Sequence, residues 1–541
     1  MVGCPTCGAA LRFDITSQLM ACDHCGNFFE TQRLSDNSSR DDARSSQFDS
    51  FVYICPSCGA ELLTTDKNDA VGFCQYCGGA SMIFEKMRQE WKPDYIIPFK
   101  VTKEDCKQAY CREVRRHPFV SRKYSKADLV ESFRGIYMPY WSYRSVMSGP
   151  FRVSAESKQK YVAPNTYEKT YYFITGQSNL ALEGYSRDAS LSFDDDISDA
   201  LAPYDYSQQM PFAPGYLSGF YAESGDVSAH EYDSIINTET RDDAVNCLIN
   251  DAAVKNCCDK LQSTPRPNAT MANVNIESAR RTLNPVWFMS YRKGNDITYA
   301  TVNGQTGKVA ADLPLSPLKI LLFALGLSAA IFGILVLLMN LIPSIPSIKA
   351  NGTLGICLIL MNAGMFYLQN SFNRTVAGKS NTKPMLGASG YTVALIICII
   401  GFIFVITDGS YDKTRMYIGL IPMMFTAITM LLSHVKQAAD TRNIKRMTTD
   451  NTSVLRTRVI TEAKAFLKKV VWLKLIMFLS IAFGALIVYV DPAYNIISYG
   501  ACFLAAAELF GLAIFHIHFQ TQVAKRPLPQ FNKKGARYDE N

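Results

Sequence analysis

The chain has 541 residues, 16 cysteines and a formal net charge of +7. The charge is unevenly distributed, because residues 1–90 hold 7 Lys or Arg against 12 Asp or Glu, while much of the basic excess lies after residue 318 among long apolar runs. Segments that bind DNA or RNA tightly present a basic face to phosphate, so the acidic first 90 residues argue against nucleic-acid binding there.

Four Cys-x-x-Cys pairs in the first 78 residues fall into two matched sets. Two thiolates separated by two residues can hold one metal ion from a tight turn, and two such turns complete a tetrahedral four-thiolate site. A glycine follows the last cysteine of every pair and lets the backbone curl so that its amides point at sulfur. The spacing predicts two zinc ribbons, ribbon 1 over residues 1–30 and ribbon 2 over residues 51–90, each holding one Zn²⁺. The predicted ligands are Cys4, Cys7, Cys22 and Cys25 in ribbon 1, and Cys55, Cys58, Cys74 and Cys77 in ribbon 2.

Three other chemistries use paired cysteines. Disulfides need an oxidising compartment, whereas no signal peptide precedes the pairs and the rest of the chain predicts a reducing cytosol. Thioredoxin-like redox pairs lie within a βαβ pattern, which the surrounding residues do not show. Iron fits the same four-thiolate geometry and stays open, although ribbons that stabilise a fold favour zinc.

The two ribbons begin with similar sequences, Cys-Pro-Thr-Cys-Gly-Ala-Ala-Leu from Cys4 and Cys-Pro-Ser-Cys-Gly-Ala-Glu-Leu from Cys55, which indicates a duplication. Residues 31–50 between them are rich in Ser, Asp, Asn and Arg. That composition predicts a flexible linker, so the two ribbons need not pack together.

Residues 91–315 are predicted to form a cytoplasmic α+β domain with an antiparallel sheet. Thr102 is a suitable N-cap with acids in the following turn, which predicts a helix from there to about His117. The segments Gly135–Arg144, Tyr161–Leu180 and Leu283–Arg292 are predicted as β-structure. The longer segment Ala229–Leu261 is predicted as helix, and Asn303–Gly307 is predicted as a hairpin turn. The sequence contains no P-loop, no GxSxG, no HExxH and no dinucleotide-binding glycine run, so no enzymatic activity is expected.

Residues 316–524 are predicted to form an α-helical transmembrane bundle of about six spans. The first, near residues 320–342, carries no charge and is long enough to cross a hydrocarbon core of about 30 Å. The other spans are predicted near residues 353–369, 391–407, 417–433, 473–490 and 497–515. Four spans remain the alternative if the shorter segments are re-entrant or peripheral.

The charges of the loops predict the orientation of these spans. With six spans and a cytoplasmic N-terminus, the later inside segments hold 17 Lys or Arg and the outside loops hold 3. The positive-inside rule then predicts a multi-pass protein of the cell membrane with both termini, including the tail 525–541, in the cytoplasm. The long inside loop 434–472 holds 9 of these bases and is predicted to contact anionic lipids.

Glu508 lies in the middle of the last predicted span, between Ala507 and Leu509. A carboxylate at this depth is costly, which makes it a candidate functional residue. Two roles stay open: a protonated or hydrogen-bonded group that fixes helix packing, with Asn340 or Asn362 as partner, and a group of a transporter or channel subunit. Transporters carry several charges at mid-depth or broken helices in paired halves, and neither pattern is present in the sequence.

Several short motifs together resemble those of a family of bacterial multi-pass zinc-ribbon membrane proteins common in Gram-positive organisms. The matching segments are Cys55–Gly59, Asp94–Phe99, Gly135–Trp141, Tyr216–Phe220, Asn303–Gly307 and Arg526–Pro529. The resemblance implies a membrane anchor that recruits phage-shock-A-type or SPFH-domain (virion-core-like) proteins through its zinc ribbons, in an envelope stress response. The doubled ribbon leaves open which ribbon docks a partner.

The leading prediction is therefore a non-enzymatic, zinc-binding membrane scaffold that recruits cytoplasmic or peripheral membrane proteins. A transporter or channel subunit that uses Glu508 is the first alternative. A membrane-tethered nucleic-acid-binding protein is the second, and the acidic balance of the ribbons makes nucleic acid an unlikely partner.

Overall fold

Two groups of residues make most of their contacts among themselves. A computed structural model describes residues 3–38, 47–65, 74–79, 82–156, most of 160–250, 260–261, 274–293 and 296–341, and scattered positions between 503 and 527. The first unit comprises Met1–Arg116, Arg122–Asp312 and Pro527–Asn541, and the second comprises His117–Ser121 and Leu313–Arg526. Each unit is described by itself below.

Most described secondary structure of the first unit is β. The strands are β1 (Leu11–Asp14), β2 (Leu19–Cys22), β3 (Phe28–Phe29), β4 (Gln47–Ile54), β5 (Glu61–Thr64), β6 (Ile83–Trp91), β7 (Tyr95–Ile96), β8 (Arg134–Glu156), β9 (Lys160–Ala163), β10 (Thr166–Glu168), β11 (Tyr171–Asp188), β12 (Met210–Pro211), β13 (Tyr221–Ala222), β14 (Lys260–Leu261), β15 (Val274–Lys293), β16 (Asp296–Asn303), β17 (Val309–Ala311) and β18 (Arg526–Pro527). The helices are α1 (Thr31–Ser38), α2 (Lys103–Arg116), α3 (Ala127–Val130), α4 (Asp195–Leu201) and α5 (Asp233–Asn250), with short 3-10 turns at Arg122–Ser125, Tyr206–Gln208, Pro214–Leu217 and Ala229–Tyr232.

A large, mostly antiparallel sheet forms the body of this unit and confirms the predicted sheet. Its strands follow the order β12, β7, β15, β8, β13, β5, β4, β6, with β11 also paired to β8 and β16 to β15. The two similar segments predicted as strands pair with each other: Leu283 lies opposite Pro139, and Trp287 lies opposite Gly135. Residues 136–140 of β8 are buried on both faces of the sheet, whereas side chains from Tyr143 to Ser148 alternate between inside and outside. The inner half of β8 therefore belongs to the core.

An aromatic cluster around Phe99 brings together several motifs that are far apart in the sequence. The Phe99 ring stacks on Phe220 at a centroid distance of 4.5 Å and contacts Tyr137 at 5.0 Å and Trp287 at 5.1 Å. Phe99 ends the segment Asp94–Phe99, while the other rings come from segments 135–141, 216–220 and 283–292. These motifs therefore share one packing role in the core.

Two glycines make this cluster possible. A Cβ atom on Gly304 would lie 2.6 Å from two atoms of the Phe99 ring and 2.7 Å from Pro285. A Cβ atom on Gly135 would lie 2.5 Å from the Phe220 ring. Both positions need glycine because an aromatic ring occupies the space that any other side chain would take.

The predicted helix start and hairpin turn are both present. Thr102 Oγ1 accepts a hydrogen bond from the Asp105 amide at 3.2 Å, which caps α2, and the helix buries Cys106, Tyr110 and Val114 at intervals of four residues. The β16–β17 hairpin turns through Asn303, whose Oδ1 accepts hydrogen bonds from the amides of Gln305 and Thr306 at 2.8 and 2.9 Å. Local side-chain chemistry specifies both features.

The structure differs from the predicted linker over residues 31–50 at both ends. Residues 31–38 form α1, which packs against the turn Pro214–Leu217, so that a Cβ atom on Gly215 would lie 2.9 Å from Thr31. Strand β4 already begins at Gln47, which lies opposite Trp91 of β6. Polar residues form helix and strand here because tertiary contacts override their composition. Residues 39–46 lie outside the described part of the chain.

The segment Ala229–Leu261, predicted to be helical throughout, is divided. Helix α5 covers Asp233–Asn250 after a 3-10 turn. Lys260 and Leu261 instead form β14 and pair with Glu156 and Ala155 of β8. Lys260 and Leu261 form a strand because pairing with β8 satisfies their backbone hydrogen-bonding groups.

The second unit contains helix α6 (Pro317–Leu341), which covers most of the first predicted span. Its 25 residues extend about 37 Å, which exceeds a hydrocarbon core of about 30 Å. Among the described residues, α6 is the one helix long and apolar enough to cross a membrane. Near its N-terminus, the Lys319 ammonium donates to the Val120 carbonyl at 2.8 Å, and the Phe323 ring contacts Phe119 at 5.0 Å. The other predicted spans lie outside the described residues, apart from scattered helical positions of the last one.

Replacing Gly304 with Ala should lower the stability of the first unit by about 1–3 kcal/mol, since the new methyl group must displace the Phe99 ring. The midpoint of thermal unfolding of the purified chain measures the effect. Gly225→Ala is the matched control, because a Cβ atom there meets its nearest neighbours at an ordinary 3.6 Å. Equal midpoints for the two variants would show that Phe99 does not constrain position 304.

Candidate metal centres

The four Cys-x-x-Cys pairs share one backbone geometry. In each, the amide of the glycine after the second cysteine donates to the carbonyl of the first cysteine, at 2.8–2.9 Å. The following residue's carbonyl then accepts from the amide of that first cysteine, at 2.7–3.0 Å. The four glycines all have positive φ, with values of 75° at Gly8, 72° at Gly26, 78° at Gly59 and 67° at Gly78. This conformation suits glycine and explains why one follows every pair.

The thiols of each set lie close enough to share one metal ion. All four Sγ atoms of each set lie within 4.8 Å of one another. The shortest separations are 3.5 Å for Cys7–Cys22 and for Cys55–Cys77, and 3.6 Å for Cys4–Cys25 and for Cys58–Cys74. A disulfide brings sulfurs to about 2.05 Å, whereas metal–sulfur bonds of about 2.3 Å in a tetrahedron give S···S edges of about 3.8 Å. The geometry therefore fits two four-thiolate metal centres.

The pKa values of the ribbon 2 cysteines are shifted in opposite directions. The Cys74 thiol, by hydrogen bonding, lowers the pKa of Cys58 to about 6. Burial raises the pKa of Cys77 to about 11. One thiolate forms easily, but four thiolates side by side in a buried site need a cation to balance their charge. The donor set thus suits a divalent ion that binds thiolates.

Ribbon 2 is built into the core of the first unit. Its four cysteines are 0–4% exposed and belong to one buried cluster with apolar side chains of β8 and β15, including Met138 and Phe288. The Tyr76 ring, between the last two cysteines, contacts the Phe288 ring at 5.4 Å, and the Tyr76 carbonyl accepts from the Tyr299 hydroxyl at 2.9 Å. The metal centre of ribbon 2 is therefore part of the fold.

A buried carboxylate fixes the second turn of ribbon 2. The Tyr76 hydroxyl donates to Glu223 Oε2, and the Ser190 hydroxyl donates to Glu223 Oε1 at 2.6 Å. Burial first, and then the charge of Glu223, raise the pKa of Tyr76 well above its ordinary value, so the phenol stays a donor. Sequence reasoning missed Glu223 and Ser190, because nothing in their local sequence indicates contact with a turn more than a hundred residues away.

Ribbon 1 is attached at one end and open at the other. Its strands bury Leu11, Phe13 and Met20, and the Phe13 ring contacts Tyr216 at 5.2 Å. Gln18 Nε2 donates to the Phe99 carbonyl at 2.7 Å, which links ribbon 1 to the aromatic cluster. At the other end, Cys7 is exposed, Cys25 is half-buried and Phe28 is exposed. The two centres thus have the same donor set in different environments.

Strand β6 forms an exposed edge of the sheet beside ribbon 2. Among the described strands it pairs with β4 alone. Ile83, Met87 and Trp91 are 57%, 60% and 59% exposed, while Phe84 is also exposed and packs its ring against Tyr53 at 5.7 Å. Arg88 pairs with Glu61 and Glu90 and is half-buried. The edge therefore presents several large apolar side chains next to a backbone that pairs with no further strand in the described part of the chain.

The predicted site residues fall into two groups. The eight cysteines form the two sets of four that the spacing predicts, each able to hold a metal ion. Glu508 and the basic loop 434–472 lie outside the described residues. Their proposed roles remain predictions.

Comparisons with known proteins give one relative. The uncharacterized protein YdjG of Bacillus subtilis (strain 168) is 26% identical over 337 residues, which cover 61% of this chain and 94% of YdjG. No family model matches the chain, and no solved structure matches it. The function has to be argued from the sites themselves.

Replacing Tyr76 with Phe should destabilise the first unit by about 1.5–3 kcal/mol, because Glu223 loses a hydrogen-bond donor while it stays buried. Thermal unfolding measures the loss. Tyr291→Phe is the control, since no hydrogen bond of its hydroxyl is found within the described residues, and it should shift stability by less than about 0.5 kcal/mol. Similar losses for both variants would remove the role assigned to the Tyr76–Glu223 contact.

Single ligand replacements should separate the two centres. Cys58→Ser should reduce bound metal from two ions per chain to one and make the whole first unit sensitive to protease, because its centre lies in the core. Cys7→Ser should also remove one ion, but cleavage should stay within the first 46 residues. Elemental analysis and mapped limited proteolysis provide the readouts. Protease resistance of the Cys58→Ser chain equal to wild type would contradict a core role for ribbon 2.

Proposed function

We propose that this chain is a non-enzymatic, zinc-binding membrane scaffold that recruits a cytoplasmic or peripheral membrane protein. In this proposal the first unit lies in the cytoplasm, and the C-terminal part crosses the cell membrane about six times with both termini inside. Helix α6 supports one crossing, and the distribution of 17 inside against 3 outside basic residues supports the rest. The resemblance to zinc-ribbon membrane proteins suggests phage-shock-A-type or SPFH-domain partners and an envelope stress response.

Zinc is the metal that suits both centres. Each set supplies four thiolates and no open position, the arrangement typical of structural zinc sites. Ribbon 2 places its centre inside an apolar core, where a redox-inert ion holds the fold without chemistry of its own. Elemental analysis of the purified chain is expected to find zinc in both centres.

The exposed edge strand β6 is the observation that carries the scaffold proposal. Long apolar edge strands are rare in monomers, because they pair with other chains, and natural edges are protected by Lys, Pro or short length. Strand β6 has nine residues and no proline. It carries one exposed lysine, Lys86, while Arg88 is paired with two glutamates, so Ile83, Met87 and Trp91 stay exposed along the edge. Such an edge suits a partner that adds an extended segment as a further strand.

The position of β6 also bears on which of the two ribbons binds the partner. The four cysteines of ribbon 2 are buried, and its turns expose only small residues such as Pro56 and Ser57, whereas β6 begins at Ile83, shortly after the last cysteine, and exposes large apolar side chains. We therefore assign docking to the β6 edge of ribbon 2, with the buried metal centre holding that edge in place. In this view the zinc supports the docking surface and does not itself touch the partner.

Met87→Lys should weaken binding of the partner at least about tenfold, because it removes an exposed apolar side chain and adds a second lysine beside Lys86 on the edge strand. Purified phage-shock-A-type and SPFH-domain proteins of the same cell are the first partners to test, with the full chain in lipid nanodiscs and binding followed by interferometry. Gln177→Lys is the matched control, since it adds the same charge at an exposed position of strand β11. Equal affinity of both variants would reject the β6 edge, and failure of the wild-type chain to bind either protein would reject this partner class.

A further inference from the structure

The two four-thiolate centres match in sulfur geometry and differ in access. Both have closest sulfur pairs at 3.5 and 3.6 Å. All four cysteines of ribbon 2 are buried among apolar side chains, whereas in ribbon 1 Cys7 is exposed and Cys25 is half-buried. A difference in reactivity between the two centres would therefore reflect their access to solvent and not the arrangement of their sulfur atoms.

We propose that the ribbon 1 centre is an oxidant-reactive thiolate site, in which a peroxide converts Cys7 and Cys22 to a disulfide and releases the metal ion, while the ribbon 2 centre keeps its ion. The proposal rests on the zinc occupancy proposed above. Thiolate character and exposure together determine which cysteines oxidise. Cys7 has both properties, since it is a predicted ligand and its side chain faces solvent.

The reaction is balanced with a peroxide as the oxidant. The Cys7 thiolate attacks one oxygen of hydrogen peroxide, the O–O bond breaks, and a sulfenic acid and hydroxide form. The Cys22 thiolate then attacks the Cys7 sulfur and expels a second hydroxide. Two thiolates and one peroxide thus give one disulfide and two hydroxides, with both sulfurs oxidised and both peroxide oxygens reduced.

Cys22 is the expected second partner because its sulfur lies only 3.5 Å from that of Cys7. Cys4 and Cys25 form the other close pair, at 3.6 Å. Once Cys7 and Cys22 are bonded to each other, two thiolates remain, which is too few to close a four-coordinate site. The metal ion therefore leaves.

Loss of this ion should change the surface of the first unit. Ribbon 1 has three short strands, and metal binding supplies much of the folding energy of so small a module. Its packing covers Tyr216 and the turn at Gly215 through Phe13, Met20 and Thr31. Oxidation would release this packing, while the β6 edge and the core of ribbon 2 stay intact.

The test uses the full chain in nanodiscs, first confirmed to hold two zinc ions, and treated with graded hydrogen peroxide. Released zinc is followed with a chromogenic chelator, and free thiols are mapped by alkylation and mass spectrometry. One zinc ion should leave at least tenfold faster than the second, together with formation of the Cys7–Cys22 disulfide. Reductant and added zinc should restore both.

Cys247 is the internal control, because it is an exposed cysteine outside both sets. Oxidation of Cys247 with Cys7 unchanged would overturn the proposal, as would loss of both ions at one rate or loss of the ribbon 2 ion first. A different disulfide in ribbon 1 would overturn the assigned pair. Absence of zinc from the untreated chain would instead overturn the proposed function, and this inference with it.

Discussion

Four thiolates buried in the core of a sheet are the constraint on which the first unit depends. Four ionised thiolates are stable in a buried site only with a cation among them, and the cysteines of ribbon 2 are placed so that they could hold one. Strands β4, β5 and β6 radiate from that centre, and β5 joins the rest of the sheet at one register position, Leu63 opposite Ala222. A metal ion bound by this cysteine set would fix the ends of these three strands, and through them the position of the β6 edge.

A second set of contacts attaches ribbon 1 to this core. Phe99 packs among three aromatic rings, and its carbonyl accepts a hydrogen bond from Gln18 of ribbon 1. Tyr216 contacts Phe13 of ribbon 1, and Phe220, four residues later, belongs to the aromatic cluster. One short segment thus connects ribbon 1 to the core. The motifs that give the sequence its family resemblance are mainly packing elements.

Sequence reasoning succeeds here where the cause of a structure is local. The Cys-x-x-Cys-Gly turns, the Thr102 cap and the Asn303 turn all depend on neighbours within a few residues. It fails where the cause is distant: Glu223 binds Tyr76 across 147 residues, and α1 forms from a polar segment because it packs against Gly215. The sequence also does not predict the exposure of β6, because the apolar residues Ile83, Met87 and Trp91 do not indicate whether their strand lies at the edge of a sheet. The sequence pattern of the two ribbons is the same, but their burial is decided elsewhere in the chain.

The unequal burial of two similar modules gives them different physical roles. The four cysteines of ribbon 2 lie in the core, so an ion bound there would be shielded from solvent. In ribbon 1, Cys4 and Cys22 are buried, but Cys7 is exposed and Cys25 is half-buried, so an ion bound there would be more accessible to solvent. Two cysteine sets with the same sequence pattern therefore differ in solvent access within one unit. Ribbon 1 packs on Tyr216 and donates a hydrogen bond to the Phe99 carbonyl, so these contacts join it to the aromatic cluster and not to the cysteines of ribbon 2.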